Sequence, residues 1–332
     1  LSFDLPSASF LAAQERIAPY VRRTPLLPRP RLSREAFPNV HLKLENLQVG
    51  GSFKARGVFN HLLQLNEEQR KRGVITASGG NHGVALAYAA RRLNVPATVY
   101  LPVRAGEDRV SRIAAWGAKI FQHGRDWDDA NLKALEHAAR ENLYYVHAFD
   151  AEATLAGQGT LGLELLEDLP ELDCALIAIG GGGLICGAAA AIKQRRPHVR
   201  IIGVEPSGAP SMSVSVNAGR VTPLRETRTI ADTLAPRSVS ERTLALAQRY
   251  IDEIILVEEA KLIEAMRWLW RECNQLVEPA GAAVIAALLQ DEAKIANFKQ
   301  PVAVICGGNA AAESVFGNYQ NAITRISEAK LE

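Results

Sequence analysis

The sequence predicts an α/β protein of two open, mainly parallel twisted sheets, each covered by helices. Three observations predict it. Short apolar runs of strand-like composition alternate with segments of helical spacing along most of the chain. That rhythm builds βαβ units, whose crossovers bury both faces of a parallel sheet. The strand candidates outnumber the ~5–6 of one typical sheet, and 332 residues suffice for two cores.

The elements follow in order. Residues 1 to about 39 read as helical, then irregular and proline-rich; Tyr20 to Pro30 holds three prolines and is expected to cross the surface extended. His41 to Glu45 alternates in polarity and reads as a strand running into Gly50-Gly51-Ser52-Phe53-Lys54-Ala55-Arg56-Gly57. There a glycine pair feeds a helix whose apolar residues (Phe53, Val58, Leu62, Leu65) have helical spacing, with Ser52 as the expected N-cap. Later strand candidates are Val74 to Ser78, Ala97 to Leu101, Lys119 to Phe121, Tyr144 to Ala148, Ala175 to Ile179, Arg200 to Val204, Ile254 to Val257 and Val302 to Ile305. Helices fill the intervals, for example His82 to Arg92 and Leu184 to Arg195.

Composition excludes several classes. The chain is 48% hydrophobic and 22% charged, as an ordinary soluble protein is. A net charge of +2, with Lys and Arg spread along the chain, gives no field for nucleic acid. No signal peptide is visible, and the longest apolar stretches are too short to cross a bilayer. The four cysteines are far apart and lack metal-ligand spacing, so a reducing cytoplasm is the expected compartment.

Four stretches carry candidate chemistry. Lys54 falls in a first helical turn, where the dipole is positive and favours the neutral amine that a nucleophilic lysine needs; the alternative is a surface lysine at a frayed helix start. Ser78-Gly79-Gly80-Asn81-His82-Gly83 joins a strand to a helix and would suit a substrate carboxylate; it is otherwise a turn capped by Asn81. Gly180-Gly181-Gly182-Gly183 follows a strand and opens a small-residue helix, so its N–H groups can converge on one phosphate. A dinucleotide fingerprint fails there, because its third glycine position holds Ile185. Val304 to Asn309, with Cys306, ends another strand. All four fall at carboxyl ends of strands, where ligands of open parallel sheets gather. Glu278 starts a further helix and either faces the same crevice or favours the helix start.

In this order the stretches resemble the pyridoxal-phosphate enzymes of the tryptophan-synthase-β fold group (fold type II), nearest to the serine/threonine dehydratases and serine racemases. The matching motifs also include Lys43-Leu44-Glu45-Asn46, Gly157-Gln158-Gly159-Thr160, Val204-Glu205-Pro206 and Val277-Glu278-Pro279, and cover nearly the whole chain. The resemblance implies that Lys54 carries pyridoxal phosphate covalently and that Phe53 packs beside its ring. It further implies that Asn81 bonds the ring hydroxyl, that Gly180, Gly181, Gly182, Gly183 and the Leu184 amide hold the phosphate, and that Cys306 faces the pyridine nitrogen. Glu278 joins this cofactor set. Ser78, Gly79, Gly80, Asn81 and His82 would receive the substrate carboxylate.

The implied reaction is loss of water from a β-hydroxy amino acid of the L-threonine or L-serine type, giving a 2-oxo acid and ammonia, with Lys54 as general base. A racemase, or a dehydratase acting on a phenylserine- or hydroxyaspartate-type substrate, is the alternative; a β-replacement synthase and a non-catalytic ligand sensor are remoter ones. Three positions depart from the family pattern. Gly79 replaces the serine that serves racemisation, and Thr233 replaces the glycine ending Thr229-Ile230-Ala231-Asp232. At the family's cation site, divalent or monovalent, Glu205 and Ala209 match while Ser211 replaces the second acid. The resemblance also implies a large domain of residues 1–66 and 151–332, a small domain of 67–150, a homodimer, and a small-molecule amino acid as partner.

Overall fold

The computed structural model describes residues 3–28, 39–103, 105–291 and 297–309. Helix α1 (Ser7–Ile17) precedes strands β1 (Leu26–Pro28) and β2 (His41–Lys43). Helices α2 (Lys54–Leu62) and α3 (Glu67–Arg72) lead into β3 (Val74–Ala77), α4 (Asn81–Leu93), β4 (Ala97–Leu101), α5 (Glu107–Ala114), β5 (Lys119–Gln122), α6 (Trp127–Glu141) and β6 (Tyr144–Tyr145). Then come α7 (Glu152–Asp168), β7 (Cys174–Ala178), α8 (Gly183–Lys193), β8 (Arg200–Pro206), α9 (Ser211–Ala218) and α10 (Glu241–Tyr250). Strand β9 (Glu253–Val257), helices α11 (Glu259–Cys273) and α12 (Pro279–Gln290), and β10 (Pro301–Val304) complete the described chain.

Among the described residues the strands form two sheets. One has the order β1-β2-β10-β7-β8-β9, parallel except for β1, and the other is β5-β4-β3-β6, parallel throughout. The two-sheet α/β architecture expected from the alternation of patterns is therefore observed. The second sheet is built entirely from residues 74–145, between β2 and β7 of the first. Pro28 ends β1, an edge strand, where a missing N–H breaks no ladder. The expected extended run to Pro30 ends outside the described residues.

The first sheet's core rests on close helix contact. A Cβ on Gly162 would come 2.6 Å from Ala188 O, and one on Gly187 would come 2.4 Å from Leu155 O, so α7 and α8 touch backbone to backbone. A Cβ on Gly157 would come 2.6 Å from both Arg56 O and Gly57 Cα, which brings α7 equally close to α2. The small residues in these helices thus set the approach of the elements that carry Lys54 and the glycine run.

Three sequence expectations need correction. Ser52 does not cap α2: the N-cap is Phe53, without a side-chain cap, and Ser52 is extended and bridged to Gly307 with its buried hydroxyl unpartnered. The strand from His41 stops at Lys43, because the chain turns at Glu45 to present its carboxylate to Arg56. The strand from Tyr144 stops at Tyr145; Val146 N–H still bonds Ile75 O, but Ala148 bends towards Lys54 and its carbonyl accepts the Lys54 amine.

Candidate active site

A cavity of about 430 Å³ lies between the two sheets. Phe53 and Lys54, the loop from Ser78 to His82, the run from Gly180 to Leu184, and Cys306 all line it. Each group follows the carboxyl end of a strand or opens the helix after it, so the parallel topology brings stretches far apart in sequence to one place.

Lys54 is the first residue of α2. Its Nζ donates to Ala148 O at 2.8 Å and stands 5.1 Å from the Phe53 ring centroid. Burial lowers its ammonium pKa to about 8, against the opposing influence of Glu278. Desolvation thus eases the amine towards its neutral form.

The glycine run meets its neighbours tightly. A Cβ on Gly181 would come 2.3 Å from the Phe149 ring, and one on Gly182 (φ +91°) would come 2.7 Å from Met212 Cε. Close packing therefore demands glycine here, beyond any need to curl. The N–H groups of Gly180 to Gly183 have no acceptor among the described residues, and they line the cavity at the N-terminus of α8. Unsatisfied amides at a helix start are what a phosphate needs. With a desolvated amine on the same cavity, these residues fit pyridoxal phosphate.

Asn81 does not cap α4, whose N-cap is Gly80. Its Nδ2 donates to Glu278 Oε1, and its Oδ1 accepts from Asn309 Nδ2 at 2.7 Å. Glu278 is buried, and burial raises its carboxyl pKa to about 7 while the Asn81 bond opposes the rise. Ser78 Oγ accepts the Gly80 N–H at 3.3 Å, which closes the loop. His82 Nε2 donates to Val146 O at 3.1 Å, and burial first, then Lys54, lowers its pKa to about 3, so the imidazole is neutral. Cys306 Sγ donates to Ala280 O at 3.3 Å, and burial pushes its thiol pKa far up, so it stays neutral. Cys174 and Cys186 are buried as well.

Glu205 lies apart from this cavity. It is fully buried, and its two carboxylate oxygens accept the N–H groups of Met212 and Ser213, both at 2.8 Å, at the start of α9. Among the described residues no group of three or more His, Cys, Asp or Glu could hold a metal. A carboxylate engaged by two N–H groups, with Ser211 in place of a second acid, does not fit a hard divalent cation.

Sequence reasoning missed several lining residues. Phe149 abuts the glycine run, Trp127 lines the cavity with its indole N–H on Ala77 O at 2.8 Å, and Arg109 and Arg237 reach its mouth. None belongs to a local motif. The Thr229–Thr233 stretch was the one available signal, and Thr233 does line the cavity: a Cβ on Gly80 would come 2.9 Å from its methyl. No helix among the described residues is long and apolar enough to cross a membrane.

Known proteins are similar to this chain in sequence and fold. The family described as "Pyridoxal-phosphate dependent enzyme" matches residues 17–307. An L-threonine ammonia-lyase of Thermotoga maritima is 38% identical over 298 residues, covering 90% of this chain and 74% of that protein. The structure of maize serine racemase superposes with a TM-score of 0.90 at 32% identity, covering 98% of this chain and 100% of the other. The processed form of threonine deaminase isoform 2 from Solanum lycopersicum superposes at 0.88 with 34% identity, covering 94% of this chain and 86% of the other. The cavity joins a desolvated lysine to a cradle of free amides, and most of the chain matches, so the chain belongs to the pyridoxal-phosphate-dependent enzymes of fold type II, with the threonine and serine dehydratases and the serine racemases.

Proposed function

We propose that this enzyme removes water from a β-hydroxy amino acid of the L-threonine or L-serine type, releasing a 2-oxo acid and ammonia. The observation that carries the reading is the Lys54 amine, held on Ala148 O and desolvated, on the same cavity as the free amides of Gly180 to Gly183. The similarity to a protein named L-threonine ammonia-lyase supports it.

When bound, pyridoxal phosphate supplies a sink for the electrons left as the α-C–H bond breaks. The chain supplies the rest. Gly180 to Gly183, with the Leu184 amide, hold the phosphate, and Phe53 packs beside the ring. Asn81, held by Glu278 and Asn309, meets the ring hydroxyl. The neutral Cys306 thiol faces the ring nitrogen and does not protonate it, which favours elimination over transamination. Ser78 to His82 bind the substrate carboxylate and fix its orientation. Lys54 Nζ then takes the α-proton, and the β-hydroxyl leaves as water by accepting a proton from the resulting Lys54 ammonium. Hydrolysis completes release of the 2-oxo acid and ammonia.

Residues 67–150 act as a small domain that closes on 1–66 and 151–332, excluding water during proton transfer. The enzyme works as a cytoplasmic homodimer on free amino acids. Lys54→Ala is expected to abolish both the visible absorbance of the bound cofactor and ammonia release from L-threonine and L-serine. Retained turnover would overturn the assignment.

A further inference from the structure

Arg56 is buried at 1% exposure, two residues beyond Lys54 in the first turn of α2. Two residues are about 200° apart around a helix, so the two side chains leave opposite sides of the turn. Lys54 reaches the cavity, while Arg56 reaches inward. Arg56 Nε and Nη2 donate to the two oxygens of Glu45 at 2.8 and 2.7 Å, and Nη1 lies 2.9 Å from Glu164 Oε2. Glu45 stands in the turn after β2, and Glu164 stands on α7.

Few other polar side chains hold this turn. The N-cap Phe53 offers no side-chain bond, Ser52 Oγ is unpartnered, and Gly50 and Gly51 stand at φ +72° and +75° just upstream. Ala55 and Gly57 have no polar side chain. Apart from Lys54 itself, Arg56 is the one side chain of the first turn with a hydrogen bond to another element among the described residues. A planar fork on a carboxylate resists both sliding and rotation. Such buried ion pairs add little net stability over an apolar core. Geometry accounts better than stability for placing one directly behind the reactive amine.

We propose that Arg56 is a positioning residue: its fork on Glu45 and Glu164 fixes the rotation of the first turn of α2 and thereby holds the Lys54 amine in the cavity. The inference rests on the reading of Lys54 given above. An amine released from that position gains water, and its ammonium form becomes easier to keep. The charged or titratable groups that face it are Cys306, Glu278, His82 and His147, and no variant below alters them.

The test uses the cofactor-free protein. Acetylation of Lys54 by acetic anhydride is followed against pH, with peptide mass spectrometry as the readout. The native midpoint is expected at about 8. Arg56→Lys keeps the charge and loses the fork; the midpoint should rise by about one unit, leaving about tenfold less neutral amine at pH 7. In the holoenzyme kcat should fall by about tenfold or more, with KM within about twofold. Glu45→Gln removes the carboxylate and keeps the shape. It should move the midpoint the same way, and it carries the test if Arg56→Lys does not fold. Lys43→Met breaks the far side of the same network, where Lys43 Nζ meets Glu164 and Asp168 at 2.6 and 2.8 Å. It should lower Tm and leave the Lys54 midpoint in place. A native midpoint in Arg56→Lys or Glu45→Gln, or an equal shift in Lys43→Met, overturns the proposal. Turnover retained by Lys54→Ala instead overturns the functional reading itself.

Discussion

At the scale of single residues, burial is the largest influence on Lys54, His82, Glu278 and Cys306. Glu278 shows the consequence. Its folded pKa of about 7 lies above the ordinary carboxyl value of 4.5, so the folded state binds the proton more tightly. The stability this gives is fully present below pH 4.5 and is lost as pH rises through 7. Glu278→Gln keeps an acceptor for Asn81 Nδ2 and removes the charge. In the cofactor-free protein its Tm relative to the native chain should therefore climb between pH 5 and pH 8, by an equivalent of order 3 kcal/mol. A difference that stays flat across that range would show that Glu278 titrates as an exposed acid does. Gly79 permits a second test. On the proposed mechanism it has no proton to give to the substrate, so L-serine should yield pyruvate and ammonia without D-serine by chiral chromatography. A Cβ there would meet Leu101 Cδ2 at 3.2 Å, a mild crowding, so Gly79→Ser should fold and gain measurable racemisation.

Among the elements, the contact of α2 with α7 is a sensitive one. Gly157→Ala would press a methyl against Arg56 O and Gly57 Cα, both backbone atoms 2.6 Å away. Denaturant unfolding should show a loss of about 1–3 kcal/mol, whereas Gly219→Ala, with nothing within 4 Å of its Cβ, should show only the strain of φ +67°. These contacts mark the limit of what the sequence conveys. Strands β3, β4, β7, β8 and β10 were legible because short apolar runs bounded by glycine, proline or polar residues admit few other structures. The Lys54, Ser78 and glycine-run stretches were legible because their glycines stand where strands end. Ser52 was misread because a serine before a helical pattern has the same local signature whether it caps the helix or pairs with Gly307, 255 positions away. Trp127, Phe149, Arg109 and Arg237 were invisible for a related reason: only the packed sheets bring them to the cavity. Glu205, which the resemblance sets at the family's cation site, accepts two N–H groups at the start of α9, a role its local sequence does not distinguish.

For the whole molecule, two ion pairs cross the mouth of the cavity between the parts that carry the two sheets. Arg109 of α5 pairs with Asp232, and Arg237 pairs with Asp128 of α6 at 3.1 Å. All four side chains are about half exposed, so each pair contributes at most about 1 kcal/mol and is screened by salt. Asp128→Asn should raise KM by about fivefold or less with kcat nearly unchanged, and added potassium chloride should raise the native KM in the same direction. A KM insensitive to both would show that these pairs do not help to close the cavity. The order of the strands has a further consequence, for biosynthesis. β2 leaves the ribosome early, yet it pairs in parallel with β10, and Phe53 N–H bonds Cys306 O at 3.1 Å. The lysine pocket therefore cannot assemble until some 250 later residues have emerged, while residues 74–145 can pair among themselves long before. Pulse-labelled hydrogen exchange on stalled nascent chains should find β3 to β6 protected first and β2 exposed until β10 is released, so this enzyme gains its cofactor only after translation has passed β10.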